Sequence, residues 1–129
     1  KEIIPELFAY DVLYDVYCKT VELGLNPLVI HSDDVSKNPE LALRTICKKF
    51  GIEFDSNMLS WEKGGGIYNK FPPFYKEVLD SSGFLPYQKK EVILDEKYNP
   101  ILEECQKYYD PLVEKVMTQD QMREFLEDQ

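Results

Sequence analysis

The chain has 129 residues, 43% of them hydrophobic, 13% aromatic and 30% charged, which fits one domain with an ordinary core and excludes disorder or fibre. Its formal net charge of −9 repels phosphate backbones and anionic lipid, so neither nucleic acid nor a membrane surface is an expected partner. The three cysteines, Cys18, Cys47 and Cys105, are odd in number and lack CxxC spacing, which reads as reduced thiols in a cytoplasmic setting; with His31 the only histidine, no zinc set is expected.

In chain order, residues 6–23 set Leu7, Tyr10, Tyr14, Tyr17 and Val21 at helical spacing, with Leu13 and Val16 widening the stripe. That predicts an amphipathic helix stopped by Gly24. Leu28-Val29-Ile30 is a short apolar run between turn residues, as in a strand buried on both faces. One strand needs partners, and Glu91-Val92-Ile93-Leu94 is the other, weaker candidate. Asn38 and Pro39 suit the cap and first position of a helix with Leu43, Ile46, Cys47 and Phe50 as its buried stripe. Lys48 and Lys49 favour its negative end, and Gly51 its stop.

Asp55 or Ser56 caps a short helix reaching about Trp61. Pro72-Pro73 opens another, with Phe74, Tyr75, Val78 and Leu79 inward and Ser81-Ser82-Gly83 as its end. A long helix over 95–109 turns Ile101, Leu102, Cys105 and Tyr108 inward, and Pro111 is expected to end or kink it, with Asp110 extended. Residues 112–127 add one or two helical turns. The fold class expected is mainly α with one or two short strands, in a single domain over 1–129.

Four groups of residues carry possible chemistry. Asp33-Asp34 can do acid–base work or hold a metal, but no second cluster converges on them; the structural reading is a strand–helix loop whose amides they accept from. His31 follows the apolar run, where the carboxyl end of a strand hosts ligands in open α/β sheets; the structural reading is a hydrogen-bonded loop histidine. Lys63-Gly64-Gly65-Gly66 is the anion-binding candidate, since glycines let backbone amides approach a phosphate, Lys63 supplies charge and Lys70 lies within reach. It is not a Walker A loop, and composition alone favours a flexible linker between helices. Trp61, Tyr68, Phe71, Phe74 and Tyr75 crowd the same region, as a stacking platform or as core.

Pro27-Leu28-Val29-Ile30-His31-Ser32-Asp33-Asp34-Val35, then Asn38-Pro39-Glu40 and a helix ending Cys47-Lys48-Lys49-Phe50-Gly51-Ile52, resembles a segment of the sulfotransferase family. Met58-Leu59-Ser60-Trp61-Glu62-Lys63-Gly64, Tyr75 through Phe84 and Leu102 through Tyr109 are similar to small sulfotransferase-like proteins, a subgroup that includes plant branched-chain aminotransferase-like proteins. The resemblance runs over about residues 10–115.

It implies the C-terminal part of a P-loop-containing α/β fold that moves a sulfuryl group from 3′-phosphoadenosine 5′-phosphosulfate (PAPS) to a hydroxyl or amine acceptor. It also implies that the phosphosulfate loop, the catalytic base and the other strands of the sheet lie upstream, so that this chain alone is inactive. Lys63-Gly64-Gly65 then corresponds to the family's late Arg-Lys-Gly phosphate loop, without the arginine, and Asp33-Asp34 to a turn. The alternative reading is a non-enzymatic, mostly helical interaction module, its partner docking on the aromatics around Trp61; a third pairs the strand across a homo-oligomer, and oligomeric state stays open.

Overall fold

A computed structural model describes residues 9–64 and 72–128, with backbone alone at 72–75. The chain divides into two compact units, each assembled from two stretches of sequence.

The first unit takes residues up to His31 together with 89–117. Helix α1, Tyr10–Glu22, packs against α5, Asn99–Val113, through ring contacts. Tyr10 meets Tyr109 edge-on at 5.4 Å, and Tyr14 meets Tyr108 at 6.1 Å. The early part of the expected first helix, with Leu7, lies outside the described residues. After α1 the chain turns and reaches Val29, which forms a one-residue parallel bridge with Val116, and the Met117 N–H donates to the Val29 carbonyl at 2.9 Å.

The expected strand Leu28–Ile30 is thereby reduced to one bridge. Its side chains are half-buried, not buried on both faces, because among the described residues only the Val116 side supplies a bridging neighbour. Beside it lies an open apolar cleft of about 250 Å3 between Leu13, Val16 and Thr20 of α1, Leu28 and Ile30, with Leu112 at its base. Leu13 and Val16 are both 54% exposed along it.

Glu91–Leu94 corrects the second strand expectation. The segment forms no strand and pairs with no described residue. Pro111 corrects another: α5 runs through it to Val113, and Asp110 stays helical, its carbonyl accepting from the Glu114 N–H at 3.2 Å. Proline removes one bond, but the turn also seats Leu112, the one buried side chain of this unit among the described residues.

The second unit takes residues 32–88 and 118 onward. Helix α2, Ser32–Lys37, leads directly into α3, Pro39–Phe50, where the Asn38 side chain accepts from the Leu41 N–H as expected. Gly51 closes α3 at φ +65, a left-handed value that a side chain would strain. Helix α3 packs on α6, Gln119–Glu127, around Leu41, Ala42, Thr45, Cys47 and Met122.

The buried stripe is therefore rotated from the one expected. Phe50 is 68% exposed, and a threonine takes a core position because its hydroxyl donates to the Leu41 carbonyl at 2.8 Å within the helix. A 3-10 turn at Ser56–Leu59, capped by Asp55, and α4, Pro72–Asp80, complete the unit. Lys48 donates to the Phe125 carbonyl at 2.5 Å and also to those of Leu126 and Asp128, so its ammonium sits on the negative end of α6. Among the described residues the fold is mainly α, and its β structure amounts to the Val29–Val116 bridge and an antiparallel one between Ser60 and Gly83.

Candidate phosphate-binding loop

The turn at Lys63-Gly64 is held to the end of α4. On its N-terminal side, the Ser60–Gly83 bridge and a hydrogen bond from the Trp61 N–H to the Ser82 carbonyl, 3.1 Å, tie residues 60–61 to the segment after α4. Gly83 permits that approach, since a Cβ there would lie 3.0 Å from the Leu59 carbonyl oxygen. The Trp61 indole reinforces the tie: its Nε1–H donates to Ser81 Oγ at 3.2 Å, Ser81 Oγ donates to the Val78 carbonyl at 2.8 Å, and Phe84 packs edge-on at 5.5 Å. At the turn itself the Gly64 N–H donates to the Leu79 carbonyl at 2.8 Å, with φ at +69.

These bonds assign roles within the expected anion loop. Gly64 supplies the left-handed turn, and its amide is committed to the end of α4. Lys63 is exposed, and among the described residues no carboxylate pairs with it. Gly65, Gly66, Lys70, Tyr68 and Phe71 lie outside the described residues, as do the side chains of Phe74 and Tyr75; Trp61 is the described member of the aromatic cluster.

The other candidates lie elsewhere in structural roles. Asp33 and Asp34 stand in the first turn of α2, not in a loop, and their partners are side chains. Tyr87 Oη donates to Asp33 at 3.2 Å, and Gln119 Nε2 donates to Asp34 at 3.2 Å. Burial, then the bond to Asp33, raises the Tyr87 pKa above its ordinary value. In the first unit, His31 Nε2 and Tyr109 Oη share a hydrogen bond of 2.7 Å, which fits the structural reading of the histidine. Cys47 is buried, with its thiol 3.8 Å from Met58 sulfur. No three metal-ligating side chains converge among the described residues, and no described helix is long and apolar enough to cross a membrane.

Sequence reasoning missed the clamp on this loop. Its signal was present in the indole of Trp61 with Ser81 twenty residues downstream and Gly83 just beyond it, but the pairing depends on where α4 ends.

A family model described as Sulfotransferase domain matches residues 9–109. Branched-chain-amino-acid aminotransferase-like protein 2 of Arabidopsis thaliana is 30% identical over 104 residues, covering 78% of this chain and 18% of that protein. Branched-chain-amino-acid aminotransferase-like protein 1 of the same plant is 34% identical over 76 residues, 56% of this chain and 13% of its own length. The chain thus spans less than a fifth of the relatives it matches. No solved structure gives a significant match.

Proposed function

This chain belongs to the sulfotransferase domain family, and from that premise we propose that it is the C-terminal portion of a sulfotransferase-like protein that moves a sulfuryl group from PAPS to a hydroxyl or amine acceptor. In that reaction the acceptor atom bonds to sulfur, the bridging sulfur–oxygen bond breaks with its electron pair left on the phosphate, and a base takes the acceptor's proton. The base and the phosphosulfate loop belong, on this reading, to the upstream part of the domain, and this chain is inactive alone. Leu28–Ile30, with the apolar cleft beside it, adds the last parallel strand to that part's sheet.

The contribution of this chain is the turn at Lys63–Gly66. Lys63 places a positive charge against the nucleotide's phosphate, Gly64 fixes the turn, and Gly65 and Gly66 let the backbone come close. The observation that supports this reading is an exposed lysine with no described anionic partner, on a turn clamped by Trp61, Ser81 and Gly83. Positioned cations stabilise charge on transferring groups without covalent chemistry of their own, which suits a loop that offers charge and backbone but no nucleophile.

Calorimetry with 3′-phosphoadenosine 5′-phosphate on the full-length protein tests this. Binding that weakens about tenfold in Lys63→Ala, the effect of losing one charge-assisted contact, supports it. No heat at millimolar nucleotide removes the enzymatic reading, and binding indifferent to Lys63 removes the loop from it.

A further inference from the structure

Between the bridge at Gly83 and the 3-10 turn at Glu96 the chain belongs to no helix or bridge. From Lys89 to Leu94 no backbone N–H or carbonyl is hydrogen-bonded to any described residue. The side chains here are apolar and in water: Val92 is 72% exposed, Ile93 97% and Leu94 44%. A β-branched stretch with open hydrogen-bonding groups is a template for another strand.

The flanking charges say which strand. The stretch reads Lys89-Lys90-Glu91-Val92-Ile93-Leu94-Asp95, basic at one end and acidic at the other. Such a segment complements itself only when antiparallel. We propose that Lys89–Asp95 pairs with the same segment of a second copy of this chain, as a two-stranded antiparallel ribbon about a two-fold axis.

In a two-fold antiparallel ribbon, opposing residues share parity, because the axis passes through a pair facing itself. Setting Val92 opposite Val92 places Lys89 opposite Asp95 twice, lays Leu94 along the stem of Lys90 and Ile93 along that of Glu91, and opposes no like charges. Shifting to Ile93 opposite Ile93 opposes Glu91 to Asp95 and Lys89 to Lys97, which disfavours it. Asp95 remains available: it caps the Lys97 N–H at 3.0 Å and meets Lys97 Nζ at 3.3 Å, both exposed contacts that leave lone pairs for Lys89. The pairing is independent of any nucleotide role for the Lys63 loop.

Light scattering or sedimentation of the full chain tests it. The expected result is a dimer at about 100 µM chain that dissociates on dilution, as a small ribbon interface predicts. Successive residues point their N–H groups to opposite edges, so either Val92→Pro or Ile93→Pro removes a donor aimed at the partner; at least one should give a monomer with unchanged helical circular dichroism. Lys89→Glu should raise Kd about tenfold by facing Asp95. Adding Asp95→Asn, which keeps the cap, should recover most of that loss. A monomer at that concentration, or a dimer indifferent to both prolines and to Lys89→Glu, overturns the proposal.

Discussion

The two units of this chain are built from similar helices but close differently. In the unit of α2, α3, α4 and α6, six of the described side chains are buried, among them Ala42, Thr45 and Met122 at 0% exposure. In the unit of α1 and α5, Leu112 alone is buried among the described residues, while Val12, Leu13 and Val16 stay more than half exposed. The difference is not one of hydrophobicity, since α1 is as apolar as α3. Helix α3 has α6 against its apolar stripe; α1 spends one side on the tyrosines of α5 and leaves the other along the open cleft. A stripe becomes a core only where a second surface covers it.

Mutations should show that contrast as a graded series. Met122→Ala, in the closed unit, should cost about 3 kcal/mol in urea unfolding, the sum of lost transfer energy and a residual cavity. Leu112→Ala should cost about 2 kcal/mol, because the cleft beside it lets the site relax; an equal or larger loss would mean that the first unit is as well packed as the second. Thr118→Ala removes one half of a capping box in which Thr118 and Gln121 bond each other's backbone, and Lys48→Met removes the cation from the last carbonyls of α6. Each should cost about 1 kcal/mol, read from the same titrations.

A pH scan sharpens the picture at Tyr87. Its folded pKa is raised above the ordinary 10.0 by burial and by the bond to Asp33. A raised pKa contributes stability that is complete below about pH 10 and is lost as pH rises through the folded value. Wild type should therefore lose stability above pH 10 more steeply than Tyr87→Phe; parallel curves would show that the phenol feels no such environment. Least of all, Val16→Lys should change stability by no more than about 0.5 kcal/mol, since that face of α1 is uncovered.

Local signals in the sequence located most elements. Asn38-Pro39 and Asp55 cap where their chemistry says they should, and Gly51 and Gly64 take the left-handed turns that glycine permits. The errors arose where tertiary partners decide. Phe50 was placed inward by periodicity, but α6 selects the neighbouring face of α3. Thr45 takes a core place that hydropathy does not suggest, because its hydroxyl is satisfied within its own helix. Leu28–Ile30 reads as a doubly buried strand because that run is apolar throughout, yet among the described residues it has one bridging neighbour, Val116. The Thr118–Gln121 capping box was legible in spacing alone and went unread.

The site was legible as a loop but not as a mechanism. Lys63 and its glycines stand out in composition, while the clamp that steadies them joins Trp61 to Ser81, twenty residues apart in sequence. That pairing also takes the Gly64 amide out of the set of free donors, a fact that only the fold supplies.

The contrast between a closed unit and an open one is tested most directly by native-state hydrogen exchange. Amides in the middle of α3 and α6 should open with free energies near the global value, and those in the middle of α1 with values lower by about 2 kcal/mol or more. Equal protection in α1 and α3 would contradict the account.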